Sequence, residues 1–599
     1  MSETVETQKG TILKGAEWLV RDSKIEGTFI PEQADEEQQM IRQMVRDFCE
    51  MHIYPNYAKI EKQENNISKD LLGVAGEQGI LGSHIPEEYG GMPMETNTNS
   101  FIVEEIGRSG SFSVSVAAHT GIGMLPIFYF GSEEQKQKYL PGLCSGQLVV
   151  SYCLTEPSSG SDALAAKTKA ILSEDGKHYL ITGQKMWITN AGFADVFIVF
   201  AKVDGDKFTA FLVERDREGL SLGAEEDKMG IKGSSTRQVF FENVKVPLEN
   251  ILGEVGKGHL VAFNVLNIGR FKLGLMALGA AKHNADSAIR YANEREQFGV
   301  PIASFGAIQH KMAEQAIRIY ASESALYRTS WLLQRKATSM YEGGMEYGQA
   351  KLEAAEEYAV ECAMLKVIGS EMLDYVVDET VQIHGGNGFS EEFIAARAYR
   401  DARINRIFEG TNEINRLLAV GMTLKRALKG EIDLTGPAWE VQKELAGMPS
   451  LTKTEGVFGA EVDAVKNMKK ISLMVAGAAA KYQMDGVLNL KTDQEVAMNI
   501  ADIMMDTFTA ESMLLRLQKL ESMGLSTELP MQMTQVFFHD AISRIAKAAT
   551  DALCSFAEGD ALRMMLNGVK RFAKYEAINV MKARRNVAAK LIEANKFCF

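Results

Sequence analysis

The 599-residue sequence predicts a mainly α-helical protein with a β domain in its middle. Three observations predict it. From Asp35 to about Gly146 apolar residues fall at helical spacing, as in Met40, Ile41, Met44, Val45 and Phe48. Between residues 149 and 257, runs rich in β-branched and aromatic residues are separated by Asp-Gly, Gly-Asp and Asn-Ala-Gly punctuation, with no βαβ alternation. Beyond Gly258 long helical patterns return and continue almost to the C-terminus.

Taken in order, residues 1–34 form an N-terminal segment and 35–148 a helical domain with further helices at Leu71 to Gly79 and Phe101 to Ile106. Residues 149–257 form the β domain, with strands expected at Tyr179 to Ile188, Val196 to Val203, Phe208 to Glu214 and Gln238 to Val246. Residues 258–430 read as a helical bundle: Leu260 to Glu294, Phe305 to Ala337, Tyr347 to Val377, Glu391 to Asp401 and Thr411 to Leu428, with a break at Phe298-Gly299-Val300-Pro301 because proline disfavours helical geometry before it. The stretch 431–459, with Pro437, Pro449 and several glycines, reads as a linker, and 460–599 as an appended helical domain. Its first helix combines Val462, Val465, Met468, Ile471, Leu473 and Val475 with Lys466, Lys469 and Lys470. Such a basic amphipathic helix suits either an anionic membrane surface or packing against its neighbours with a solvated basic edge.

Composition excludes some partners. A formal charge of -14 argues against nucleic acid, whose phosphates reward clustered Lys and Arg. Cys49, Cys144, Cys153, Cys362, Cys554 and Cys598 lie far apart without metal-ligand spacing, so no metal is expected and the thiols read as reduced, as in cytoplasm. The start, MSETVETQKGTILKG, has neither an apolar signal core nor an Arg-rich transit pattern. No apolar run is expected to reach the roughly 18 residues of a membrane span, and a soluble protein follows.

The segment Tyr399 to Arg416, YRDARINRIFEGTNEINR, carries the sharpest candidate. A helix from near Glu391 gives way to an extended run, Arg403 to Phe408, then to the turn Glu409-Gly410-Thr411. Thr411 suits an N-cap, and Asn412 and Glu413 the first turn of the next helix. Glu409 therefore sits on a turn beside a helix N-terminus, after Phe408 and before a glycine that lets a substrate come close. It is either a catalytic base or a surface partner of Arg403 or Arg406.

Three further stretches stand out. YCLTEPSSGSDA, Tyr152 to Ala163, is a hydroxyl-rich loop suited to phosphate or a polar ring edge, or simply a turn. In GQKMWITNAG, Gly183 to Gly192, strand alternation puts Trp187 and Thr189 on one face, either walling a flat cofactor or filling a core. QIHGGNGF, Gln382 to Phe389, is a glycine-rich turn between helices that lacks the strand of a Rossmann motif.

Together with YANEREQFG, Tyr291 to Gly299, and RIFEGTNEI, these motifs occur in an order and spacing that resembles the acyl-CoA dehydrogenase family over residues 35 to 430. The helical extension is similar to that of the very-long-chain branch. The resemblance implies an N-terminal helical domain, a β-barrel-like middle domain and a four-helix bundle, and an FAD enzyme. The enzyme would remove the pro-R α-proton of an acyl-CoA while the β-hydrogen leaves as hydride to flavin N5, giving a trans-2-enoyl-CoA. It implies Glu409 as base. Two branches carry the base at a position that here is Gly269, which strengthens Glu409. Tyr152, Thr155 and Thr189 match flavin-ring contacts, Trp187 the aromatic packed on the ring, and Ser161 a residue near the FAD phosphates and substrate. Arg295, Gln297, Phe298, Gln309, Gln382, Gly385, Gly386 and Asn387 match positions that hold the nucleotide end across a subunit interface, so a dimer is implied. Thr411 and Glu413 match FAD contacts after the base, and Asn267, Arg270 and Gly410 face the substrate.

The resemblance further implies fatty acid β-oxidation of medium- to long-chain acyl-CoA, with an electron-transferring flavoprotein as acceptor. Small residues in His119-Thr120-Gly121-Ile122-Gly123, at the pocket floor, favour a long chain, while Pro126 replaces a glycine expected of the very-long-chain type. An oxidase using oxygen, or a membrane-complex scaffold built on this fold, are the alternative readings.

Overall fold

The computed structural model describes residues 12–447 and 453–599. Most of the N-terminal stretch scanned for targeting signals, and Pro449 in the expected linker, lie outside the described residues.

Seven helices form the first layer: α1 (Glu36–Phe48), α2 (Tyr57–Glu61), α3 (Ile67–Glu77), α4 (Thr96–Ile106), α5 (Ser111–Ala117), α6 (Met124–Phe130) and α7 (Glu133–Cys144). Asp35 and Ser132 start α1 and α7 with capping boxes, each accepting from the N3 amide. His119-Gly123 lies in a π-helical turn, Ala118–Gly123, between α5 and α6.

The middle domain is an eight-stranded sheet of β1 (Val150–Cys153), β2 (Lys169–Leu172), β3 (His178–Thr189), β4 (Val196–Val203), β5 (Lys207–Glu214), β6 (Leu220–Glu225), β7 (Thr236–Pro247) and β8 (Ile251–Leu252). Its order is β6-β7-β3-β2-β4-β5-β8, with β1 parallel to β4. One face buries Phe197, Val199, Phe211 and Val244, and the other packs Ile198, Phe200 and Leu212 against α6, α7 and the start of the bundle. The pairing of β3 with β7 shifts register between Lys185 and Ile188, where Trp187 takes a positive φ of 60°. That bulge turns the indole outward, so Trp187 is 53% exposed rather than part of a core.

The bundle comprises α8 (Gly258–Glu294), α9 (Gly306–Glu342), α10 (Tyr347–Glu357), α11 (Ala359–His384), α12 (Ile394–Ala402) and α13 (Asn412–Leu428). Where the sequence suggested one helix from Tyr347 to Val377 there are two, parted at Tyr358, and the second runs on to His384. The Tyr358 hydroxyl, donating to the Leu13 carbonyl at 2.8 Å, anchors the break. The helix expected from Glu391 begins at Ile394, after turns at Ser390 and Phe393. Arg403 to Phe408 is not extended: Arg403–Arg406 is a 3-10 turn, and the Ile407 and Phe408 amides both donate to the Ile404 carbonyl.

The extension holds α14 (Thr435–Ala446), α15 (Gly459–Met484), α16 (Gln494–Ser522), α17 (Glu528–Phe556), α18 (Gly559–Phe572) and α19 (Val580–Ala594). The expected linker thus contains a helix, α14, which buries Val441 and whose Glu444 pairs with Lys470 and Arg571. On α15 the apolar face is already covered: Val465, Met468, Ile471, Leu473 and Val475 are buried in the core shared with the bundle. Lys469 pairs with Glu511 and Lys470 with Glu444, which leaves Lys466 as the exposed member of the basic edge. The packed alternative therefore describes this helix. Across the joint, Arg516 pairs with Glu32 and Glu323, and Arg328 with Glu511.

Contrary to the sequence reading, two helical stretches, Ser111–Phe130 and Gly258–Glu294, are apolar and long enough to cross a membrane, but 83% and 67% of their most apolar windows are buried inside the fold. They are core elements here.

Candidate active site

The turn after α12 is built from unusual backbone. Glu409 and Gly410 both adopt left-handed conformations, φ 57° and 80°, which for glutamate is costly and for glycine is not. Three attachments hold it. Thr411 caps α13 by accepting from the Ile414 amide at 3.3 Å. Asn415, fully buried, donates through Nδ2 to the carbonyls of Glu409, Gly410 and Thr411. From α8, Arg270 donates through Nε to the Glu409 carbonyl at 3.3 Å and through Nη1 to Asn267 Oδ1 at 2.9 Å.

The carboxyl these attachments present is poised for proton transfer. Oε2 of Glu409 is out of contact with solvent and has no hydrogen-bond partner. Burial pushes the carboxyl up to about 6, opposed by the charges of Arg270 and Lys366. A Cβ on Gly269 would lie 2.9 Å from Oε2, so the absence of a side chain there makes room for the carboxyl. The surface alternative fails in geometry: Arg406 pairs with Asp374, and among the described residues neither it nor Arg403 forms an ion pair with Glu409, on which the charges of Arg270 and Lys366 act instead. Tyr152, buried and edge-on to Phe200 at 5.1 Å, lies near enough that the Glu409 charge adds to the burial that raises its phenol. The Glu409 N–H has no acceptor among the described residues, which leaves a backbone donor beside the carboxyl.

The two motifs of the β domain come together. Lys185 is buried and donates to Glu156 Oε1 at 2.8 Å and to the Leu154 carbonyl at 3.2 Å, while Glu156 also accepts from the amides of Lys167 and Thr168. The Met186 amide donates to the Thr155 carbonyl at 3.0 Å. The Thr155 backbone therefore meets the strand next to Trp187, and neither the Thr155 nor the Thr189 hydroxyl is engaged within the described residues. Ser161 is exposed in the adjoining loop. A half-exposed indole beside free hydroxyls fits the isoalloxazine ring of FAD.

The third group stands apart. Gln382 lies about 24 Å along α11 from Lys366, near the Glu409 turn. At that far end Tyr291 stacks on His384 at 4.2 Å, and Asn387 Nδ2 donates to the Tyr291 hydroxyl at 3.0 Å, joining the 291–309 and 382–387 segments. Gly385 and Gly386 have open space where a Cβ would be, Arg295 and Gln297 are exposed, and Gln309 donates to the Ala303 carbonyl. Phe298 and Phe389 are 94% and 89% exposed. Glu413 faces solvent in the first turn of α13, where backbone and Thr411 hydrogen bonds hold its carboxyl below the usual range.

The sequence reading missed Lys366, Asn415 and the Glu156–Lys185 pair, and gave Asn412 only a place in the first turn of α13. Lys366 is buried on α11 and donates to Asn412 Oδ1 at 2.7 Å; burial lowers it to about 7 against the pull of Glu409. Its signal was a lone lysine in the apolar run AMLKVIG.

Comparison with known proteins matches family models described as "Acyl-CoA dehydrogenase, N-terminal domain" over residues 35–147, "middle domain" over 151–244, and "C-terminal domain" over 256–422, with a further C-terminal domain model over 467–571. The chain is 46% identical over 588 residues to a "Probable acyl-CoA dehydrogenase" of Bacillus subtilis, covering 98% of each. It is 35% identical over 518 residues to the mitochondrial very long-chain specific acyl-CoA dehydrogenase of Rattus norvegicus, covering 82% of this chain and 75% of that protein. A crystal structure of an acyl-CoA dehydrogenase complexed with FAD from Bacillus anthracis superposes with a TM-score of 0.95 at 45% identity, covering 98% of this chain and 100% of that one.

Proposed function

Because the chain belongs to the acyl-CoA dehydrogenase family of FAD-dependent oxidoreductases, we propose that it dehydrogenates medium- to long-chain acyl-CoA to trans-2-enoyl-CoA in fatty acid β-oxidation, with Glu409 as the base. The observation that carries this reading is the buried Oε2 of Glu409, without a hydrogen-bond partner and seated over Gly269.

An α-proton of a thioester is weakly acidic, so its removal needs a desolvated base and a donor for the developing enolate oxygen. Glu409 supplies the base, kept out of water and raised to about 6. Its own N–H, free of acceptors within the described residues, supplies a donor near the same carbonyl. Arg270, Asn415 and Thr411 fix the turn, so carboxyl and N–H reach one substrate together. When bound, FAD supplies the acceptor for the β-hydrogen, which leaves as hydride as Glu409 takes the α-proton. Tyr152, Thr155, Trp187 and Thr189 would hold and orient the ring, and Arg295, Gln297, Gln309 and the glycines at 385 and 386 would receive the nucleotide end.

Since the group around residues 291–309 and 382–389 lies about 24 Å from the catalytic turn along α11 and exposes Phe298 and Phe389, we assign it to a cofactor shared between two copies in a homodimer. We assign the electrons to an electron-transferring flavoprotein and the protein to the cytoplasm, in keeping with its six free cysteines. The test is anaerobic bleaching of the flavin by palmitoyl-CoA followed by admission of air. Slow reoxidation supports a dehydrogenase, whereas rapid turnover on oxygen alone would establish the oxidase. If Glu409→Gln kept full activity, the assigned base would be wrong.

A further inference from the structure

Beyond Gly269, helix α8 turns a second functional face into the protein interior. Three residues on, a rise of about 4.5 Å, Lys272 is buried, and its Nζ has no hydrogen-bond partner. It lines a cavity of about 40 Å³ between α8, α4, α6, α9 and α10. Ile268, the neighbour of Gly269, forms part of the same wall, with Leu125 and Tyr129 from α6 opposite. A Cβ on Gly121, in the turn expected to form the pocket floor, would stand 3.8 Å from Lys272 Cδ, in ordinary contact. The cavity therefore borders the same helix, α8, whose Gly269 lies against the Glu409 carboxyl.

Its lining is chemically odd for a fatty chain. Besides Lys272 it contains Lys351 and His84, and none of the three forms an ion pair among the described residues. Lys351 Nζ sits over the Tyr347 ring at 4.5 Å, and no carboxylate bears on Lys272, which feels only the charge of Lys351. The two ammonium groups thus reinforce each other's positive potential in a desolvated space. Asn99 adds an acceptor, Oδ1, that lacks a donor and that a protonated lysine can satisfy. A buried cation without a counter-charge is costly, so each lysine gives up its proton readily until an anion arrives to hold it.

We propose that this chamber receives the distal carboxylate of an ω-carboxyacyl-CoA, so that the enzyme prefers monothioesters of dicarboxylic acids to plain acyl-CoA of the same length. The inference rests on the function proposed above. A carboxylate matches the charge, and its size matches the space: at the roughly 10–15 Å³ that one water needs, about 40 Å³ holds about three waters, comparable to a carboxylate with its last methylene. Burial holds Lys272 down to about 7 and Lys351 to about 8. An arriving carboxylate favours their charged forms and so gains an ion pair that the free protein lacks.

The experiment compares adipoyl-, suberoyl- and sebacoyl-CoA with hexanoyl-, octanoyl- and decanoyl-CoA on the FAD-loaded enzyme. It measures kcat/KM and, on Glu409→Gln, calorimetric dissociation constants without turnover. The expected result is at least tenfold tighter binding and higher kcat/KM for the diacid thioester at one of these lengths. Lys272→Met should abolish that preference and improve the plain thioester, and Lys272→Arg should retain it. Lys351→Met should weaken it, which provides a second variant if Lys272→Met does not fold. Equal binding of diacid and plain thioesters at every length, or a preference that survives Lys272→Met, would overturn the inference, as would stronger binding of ω-hydroxyacyl-CoA than of the diacid. Flavin bleaching by octanoyl-CoA in the same series reports separately on the underlying dehydrogenase reading.

Discussion

Gly269 of α8 lies against the carboxyl of Glu409, so closely that a Cβ at residue 269 would stand 2.9 Å from Oε2. The helix thus contributes to the site by lacking a side chain. Gly269→Ala should displace the carboxyl by a few tenths of an ångström or more and lower kcat/KM by about 10–100-fold, since small misplacements of reacting groups are costly. Flavin content should be unchanged, which absorbance spectroscopy checks.

The Glu409 carboxyl must be ionised to accept a proton. With burial raising it to about 6, kcat/KM should rise with pH through about 6 rather than near the ordinary 4.5. A pH profile with a saturating flavin concentration measures the midpoint. Lys366→Met removes one of the two charges that oppose the rise, so its midpoint should move upward.

The same shift links to stability. The folded state holds the Glu409 proton more tightly than the unfolded chain, so stability falls as pH rises from about 4.5 to about 6, and the cost is fully present above 6. Glu409→Gln removes that cost. At pH 8 it should stabilise by up to about 2 kcal/mol, taking roughly 1.4 kcal/mol per pKa unit, with the gain vanishing by pH 4. Denaturant melts at the two pH values read it.

Lys185 and Glu156 tie the hydroxyl-rich loop to the strand that bears Trp187. Lys185→Met leaves a buried carboxylate without its cation, at a cost of about 3–5 kcal/mol for breaking such a pair. Loss of FAD during gel filtration should precede loss of the fold. Loss of both together in a thermal melt would show that the pair supports the whole domain instead.

Phe298 and Phe389 crown the exposed far end of α11. Phe298→Asp should shift sedimentation equilibrium toward monomer and release FAD. A dimer with full flavin content would locate the subunit contact elsewhere.

Much of the helical pattern was legible because apolar periodicity reports which face a segment must bury, and burial dominates its packing. The strand pattern around residues 178–247 was legible for the same reason. The misreadings have local causes. Tyr347 to Val377 reads as one apolar pattern, and only the tertiary anchor of the Tyr358 hydroxyl on Leu13 parts it. The glycines and prolines around 431–459 suggested a linker, yet Val441 had a hydrophobic surface to join and so α14 formed. Trp187 reads as an alternating strand residue, and its outward turn depends on a bulge set by the partner strand β7. On α15, the apolar stripe was evident from its sequence, but what covered it was not.

For this protein the sequence determined the family, the order of helical and β segments, and Glu409 as the candidate base, because motif residues and periodicity are properties of the chain itself. Tertiary structure decided how that base is prepared: the left-handed turn held by Arg270 and Asn415, the space left by Gly269, the buried Lys366, and the unpaired Lys272 one helical turn beyond. Each depends on groups brought together from distant parts of the chain. Desolvation and proximity, which set the carboxyl's proton affinity and the lysine's need for a counter-charge, arise only after packing has excluded water.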